Sequence, residues 1–143
     1  ISGGYLRAGG SLHVEENVEV ETFRLTGAFE VGGLLSADRV EVELEGRAQA
    51  REIGGEKIVV RAGLKHLGGL LPAALRFIFR PGSPRELFAE TIEGDEIELE
   101  ATESRLVRGE RIKIGPGCRI ERVEYTETLE VSPDAVVKEE VKG

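Results

Sequence analysis

The side chains that could do chemistry are few and far apart. The chain has two histidines, His13 and His66, and one cysteine, Cys118. A zinc site takes three or four ligands at short, recurring spacings, and neither histidine has a His, Cys or carboxylate in such a pattern around it. Cys118 lies in Ile114-Gly115-Pro116-Gly117-Cys118-Arg119-Ile120, a tight corner without a histidine nearby, where a small buried thiol is expected rather than a nucleophile. Ser11, Ser36, Ser83, Ser104 and Ser132 have no histidine at triad spacing. The Gly-Gly pairs at 9–10, 32–33, 54–55 and 68–69 are not followed by Gly-Lys-Ser/Thr, so they read as corners and not as a phosphate loop. Three aspartates, Asp38, Asp95 and Asp134, are scattered, and the 24 glutamates recur so regularly that they describe a solvated face. The expectation is a protein that is not an enzyme, with no catalytic residue, no metal and no cofactor.

Composition narrows the remaining classes. With 143 residues and one composition regime the chain is a single domain, 1–143. A lone cysteine excludes a disulfide framework and, with no secretory leader visible, favours a reducing, cytoplasmic location. No stretch reaches the roughly 18 apolar residues of a spanning helix. A formal charge of -8 repels phosphate backbones, so no nucleic acid partner is expected. Glycine is abundant at 19 residues, aromatic side chains make up only 5%, and there is no Met or Trp, so the core must be built from Val, Ile, Leu and Ala.

The elements that must hold these residues are announced by alternation. Apolar residues recur at every second position in short bursts, the signature of strands. The bursts themselves recur. Phe23/Leu25 returns as Val40/Val42 and Ile58/Val60, Leu12/Val14 returns as Phe29/Val31, and Ile97/Leu99 returns as Ile112/Ile114 and Leu129/Val131. The interval is close to constant, roughly 17 residues, and a fixed interval of this kind is the mark of a repeat architecture. Strands this short, repeating in this way, suit an all-β solenoid in which each coil has about three strands joined by corners and inward residues form stacked aliphatic ladders. With residues 64–88 set aside, about 118 residues remain, enough for roughly six coils. An antiparallel sandwich of about ten short strands is the alternative architecture.

Residues 64–88 break the pattern. They carry a net charge of +3 against -11 for the rest of the chain. Leu67, Leu70, Leu71, Ala74, Leu75 and Ile78 fall on one helical face, and Pro72 and Pro81-Gly82 bound a short helix from about Pro72 to Arg80. Phe77 and Phe79 lie off that stripe. Two readings stay open. In one, this helical or loop insert is an interfacial membrane anchor with Arg76 and Arg80 near anionic headgroups; in the other it packs on the solenoid wall or against another subunit. The ends, residues 1–10 and 138–143, read as flexible tails because one is Gly-rich and the other charged.

Three stretches carry a resemblance to a known family: Gly33-Leu34-Leu35-Ser36-Ala37-Asp38-Arg39-Val40, the run REIGGEKIVVR from Arg51 to Arg61, and IEGDEIELE through VRGERIKIGPGC to VEY, ending at Tyr125. The chain resembles the bactofilins, polymer-forming bacterial cytoskeletal proteins, over residues 12–140, and is similar to the Gram-positive subgroup with a mid-chain insert. The resemblance implies a right-handed β-helix and nucleotide-independent, end-to-end self-assembly into nonpolar filaments. Its partner would be the chain itself as a homopolymer, beside a protein cargo and the inner face of the membrane. A solenoid's open ends are templates for another subunit, which places the expected polymer interface at Leu12, Val14, Val18 and Val20 at one end and Leu129, Val131, Val136 and Val137 at the other. The alternative is a monomeric or small-oligomer β-helix module that recruits a partner through the insert.

Overall fold

A computed structural model describes residues 2–62 and 85–143, and among these there is no helix. The elements are β1 (Ser2–Val14), β2 (Val18–Arg61), β3 (Glu86–Leu99), β4 (Thr102–Ile114), β5 (Arg119–Val131) and β6 (Val136–Lys142). They pair in parallel in the order β1-β2-β3-β4-β5-β6. Parallel neighbours that follow one another in sequence without a crossover helix are successive turns of a solenoid, here about seven of them. At 44 residues β2 is far too long for one strand and winds through several turns, as the Arg24 to Glu41 hydrogen bond between residues 17 apart attests.

The sequence period is the turn length. Leu6 stacks on Phe23, Ile97 on Ile112 and Ile112 on Leu129, each pair one period apart in the chain. Ile58 pairs with Ile97. Once residues 63–84 are discounted, that separation too is a single period, so the columns continue across the interruption. Inward positions form aliphatic ladders: Phe23, Val40, Ile58, Ile97 and Ile112 are all at most 1% exposed. The ring side chains within this core, Phe23 and Phe29, pair edge to face with centroids 5.8 Å apart.

Close packing of turns explains part of the glycine content. At the corner where Gly27 stacks on Gly10, a Cβ on Gly27 would lie 2.0 Å from the Gly10 carbonyl oxygen, and both residues have positive φ, 136° and 90°. Gly55, Gly94 and Gly109 form a second stack, in which a Cβ would meet the carbonyl of the turn beneath. Gly109 faces Tyr125 in the following turn, and the register then shifts before Arg111 pairs with Thr128.

Three sequence expectations are corrected. Residues 2–10 are not a tail but belong to β1, because Leu6 and Ala8 sit on Phe23 and Leu25 and the Gly9-Gly10 corner matches Thr26-Gly27. Residues 138–142 lie in β6, paired with β5. The solenoid has about seven turns where roughly six were expected. The third concerns the insert boundary: Glu86, Leu87 and Phe88 are part of β3, with Leu87 fully buried. The expected helix from about Pro72 to Arg80 lies outside the described residues.

Candidate functional site

Outward side chains alternate with the ladders and pair between turns. Arg108 donates to Glu124 at 2.8 Å, Arg111 reaches both Glu96 and Glu127, Arg122 reaches Glu139, and Lys113 pairs with Glu98. The first turns of the rod repeat the arrangement with Arg24–Glu41, Arg47–Glu86, Arg51–Glu90 and His13–Glu30. The Arg111 guanidinium, through its hydrogen bond and its charge, holds the Glu96 carboxyl below the usual 4.5, and Arg108 does the same to Glu124. The two arginines are raised in return. These pairs are exposed, so each adds little stability alone. Their greater effect is on register, since a slip by one residue would turn the aliphatic set outward and the charges inward.

The chemistry-bearing residues singled out in the sequence do not converge. His13 lies on the outer face beside Glu30, 3.5 Å away, with both side chains exposed. Cys118 is buried in the column of Thr102, and burial pushes its thiol up to about 11, which removes thiolate at neutral pH. Among the described residues no group of three His, Cys, Asp or Glu could hold a metal ion. His66 lies outside the described residues.

The surfaces that remain are the two ends. Among the described residues, β1 pairs only with β2 and β6 only with β5, so each has one side of its backbone uncovered. Leu12 and Val14 are half-buried on β1, as are Leu6 and Ala8 beside them. At the other end Val131 is 36% and Val136 56% exposed, with Leu129 and Val137 half-buried. Of the eight residues expected at a polymer interface, Leu12, Val14, Val136 and Val137 lie on β1 and β6, and Leu129 and Val131 lie on the part of β5 that β6 does not cover. Val18 and Val20 lie at neither end: they belong to β2, one turn inward, and are buried. In their place the structure offers Tyr5 and Leu6, which a reading of residues 1–10 as a tail hides. The signal is present in the chain, since Leu6/Ala8 precedes Phe23/Leu25 by the same period as the other bursts.

The chain is 40% identical over 115 residues to "Uncharacterized protein YhbE" of Bacillus subtilis (strain 168), a match covering 78% of this chain and 44% of YhbE. It is 35% identical over 111 residues to "Uncharacterized protein YhbF" of the same organism, covering 77% of this chain and 42% of YhbF. The chain thus spans less than half the length of the curated relatives it matches. No protein-family model matches it, and no solved structure does.

A third surface surrounds the interruption. The Ala62 N–H donates to Glu100 Oε1 at 3.1 Å, and Arg85 donates to the Ala62 carbonyl at 3.4 Å, so the residues on either side of 63–84 are held together at one corner. That corner carries the one non-glycine residue of positive φ among the described residues, Ala101 at 48°, whose N–H donates to the Pro116 carbonyl in the next turn. Leu67, Leu70, Leu71, Leu75, Arg76, Phe77, Ile78, Phe79 and Arg80, the residues expected to bind a membrane or partner, lie outside the described residues. Close to the return of the chain, Phe88 stands outward at 40% exposure between Gln49 and Glu103. No described helix is long and apolar enough to cross a membrane.

Proposed function

We propose that the protein is a non-enzymatic scaffold that assembles through its solenoid ends, without nucleotide, in the manner of the bactofilins it resembles. The observation that carries this reading is the pair of open ends: β1 presents Leu6, Ala8, Leu12 and Val14 at the spacing of the internal ladders, and at the other end Leu129 and Val131 of β5 and Val137 of β6 are the last apolar residues of their columns. A parallel strand with one unpaired edge and apolar neighbours is a template for another strand, and a copy of the same chain supplies the matching period. Sedimentation velocity without ATP or GTP tests it. Wild type should run as large, concentration-dependent assemblies, and Val136→Arg should run as small oligomers; monomeric wild type across concentration and salt defeats the reading.

The corner at Ala62, Glu100 and Arg85 supports a second role on the side of the rod. There the insert would recruit an anionic membrane surface or a protein cargo, leaving the ends free, and the assembly would sit at the inner face of the membrane. Flotation with anionic liposomes checks this: wild type should float and Phe77→Glu/Phe79→Glu should not. Equal flotation removes the insert from membrane binding.

A further inference from the structure

One large apolar side chain is exposed away from the ends of the rod. Among the described residues Tyr5 lies on β1, Val131 and Val136 lie at the other end, and Phe88, 40% exposed, stands in the middle turns. Its outward column runs Gln49, Phe88, Glu103, Arg119, Val136 by strand register. His13 and Glu30, paired in register, continue the column in the other direction, with Glu30 and Gln49 lining one groove a turn apart. Phe88 is thus the fourth of seven residues, with three turns on either side.

The face around this column also differs in charge. Its outward positions hold Arg47, Arg51, Arg105, Arg119 and Lys138 against Glu15, Glu30, Glu86, Glu90, Glu103 and Glu121, a net of -1. The described residues together carry -11, so -10 falls on the other faces and corners. Two rods side by side repel each other there and not here.

A two-fold axis through Phe88, running along the strands, turns a second rod end for end and lays this column on itself. Phe88 meets Phe88, Gln49 meets Glu103, Glu30 meets Arg119 and Glu15 meets Lys138, so an amide finds a carboxylate and opposite charges pair on both sides of the axis. Arg119 is exposed and forms no ion pair with a described residue. Glu86 and Glu90 face their own copies, but each is already paired within its chain, to Arg47 at 3.7 Å and to Arg51 at 3.9 Å. Arg51 faces Arg105, and Glu90 lies between them in the column. We infer that a second copy of this chain packs antiparallel against this face, centred on Phe88. Parallel rods instead set Glu30, Glu103 and Arg119 each against itself.

About seven turns at about 4.8 Å and five residues at about 3.3 Å make a face of about 550 Å². A pair then buries about 1,100 Å², enough for a specific but weak contact. The contact is isologous and closes as a pair without direction, as the nonpolar filament implied by the resemblance requires. Both ends stay free, so the pairing is additional to end-to-end assembly and does not depend on it. Because the axis runs along the strands, the Ala62–Arg85 corners of both copies come to the same side of the pair.

Cross-linking tests the arrangement. Packed sheets lie about 10 Å apart, beyond disulfide reach, so a bismaleimide spanning about 10 Å is the probe. A mixture of Glu30→Cys and Arg119→Cys should give a covalent dimer. Neither variant alone should, because its two cysteines lie about 20 Å apart across the pair. The native Cys118 is 1% exposed and does not compete. Single variants that link to themselves place the rods parallel and overturn the seat; no product from the mixture overturns the interface, whether the face is bare or covered by residues 63–84. Phe88→Glu added to both cysteine variants should remove the product, and an undiminished yield contradicts its central place. In negative stain, wild-type filaments should be twice as wide as those of Phe88→Glu, and equal widths count against the pair. A mixed cross-link without filaments defeats the end-to-end reading and leaves this inference standing; filaments without the cross-link do the reverse.

Discussion

Single residues set how tightly the turns may stack. A Cβ on Gly94 would lie 2.5 Å from the Gly55 carbonyl oxygen, closer than real Cβ atoms come to backbone. Gly94→Val therefore forces two turns apart and should cost about 1–3 kcal/mol in a thermal or urea melt. The adjacent Gly54 is the control, since its Cβ would meet nothing nearer than 3.9 Å, and Gly54→Ala should change little. At the same scale, Glu96 and Glu124 are held below 4.5 by Arg111 and Arg108. Groups with depressed folded-state values stabilise fully above their unfolded value, and that contribution is lost as the pH falls through the folded one. Stability should drop as pH falls below about 4.5, and 1 M salt should blunt the drop because the pairs are exposed. A flat profile from pH 6 to 3 contradicts this. Neither the glycine stacks nor the charge pairs are legible residue by residue, because a partner in a solenoid lies a full turn away and the length of the turn changes along the rod.

At the scale of elements, each strand is stable only because its inward residues continue a column. Ile97 lies between Ile58 and Ile112, buried at 1%, so Ile97→Ala opens a cavity in the middle of the rod. The expected loss is about 2–5 kcal/mol by denaturant titration, with the middle turns losing hydrogen-exchange protection first. A loss below about 1 kcal/mol would place Ile97 outside the ladder. The ladders are readable from the bursts Phe23/Leu25 and Ile97/Leu99, where each apolar residue is large and its alternation is unbroken. Residues 2–10 escape the pattern for a physical reason: glycine contributes no side chain to it, so Gly3, Gly4, Gly9 and Gly10 leave only the Leu6/Ala8 burst to announce the strand. The join between β2 and β3 is equally hidden, because the interruption between Ile58 and Ile97 takes their separation off the period.

For the whole molecule, the consequence of a solenoid is that its sides are laced with ion pairs while its ends are not. Charged columns such as Glu96–Arg111–Glu127 satisfy one another laterally. Among the described residues β1 and β6 each keep one backbone edge unpaired, with partly exposed aliphatic side chains that have a turn on one side only. The ends are only partly legible in sequence: Leu129, Val131, Val136 and Val137 stand out as the last bursts, whereas Val18 and Val20 mimic a first turn that begins earlier, at Tyr5 and Leu6. Assembly therefore depends on whether the ends join. Negative-stain microscopy of the purified chain without nucleotide tests that directly. It should show thin unbranched filaments for wild type and none for Val136→Arg; isolated particles for the wild type at every concentration and salt would contradict it.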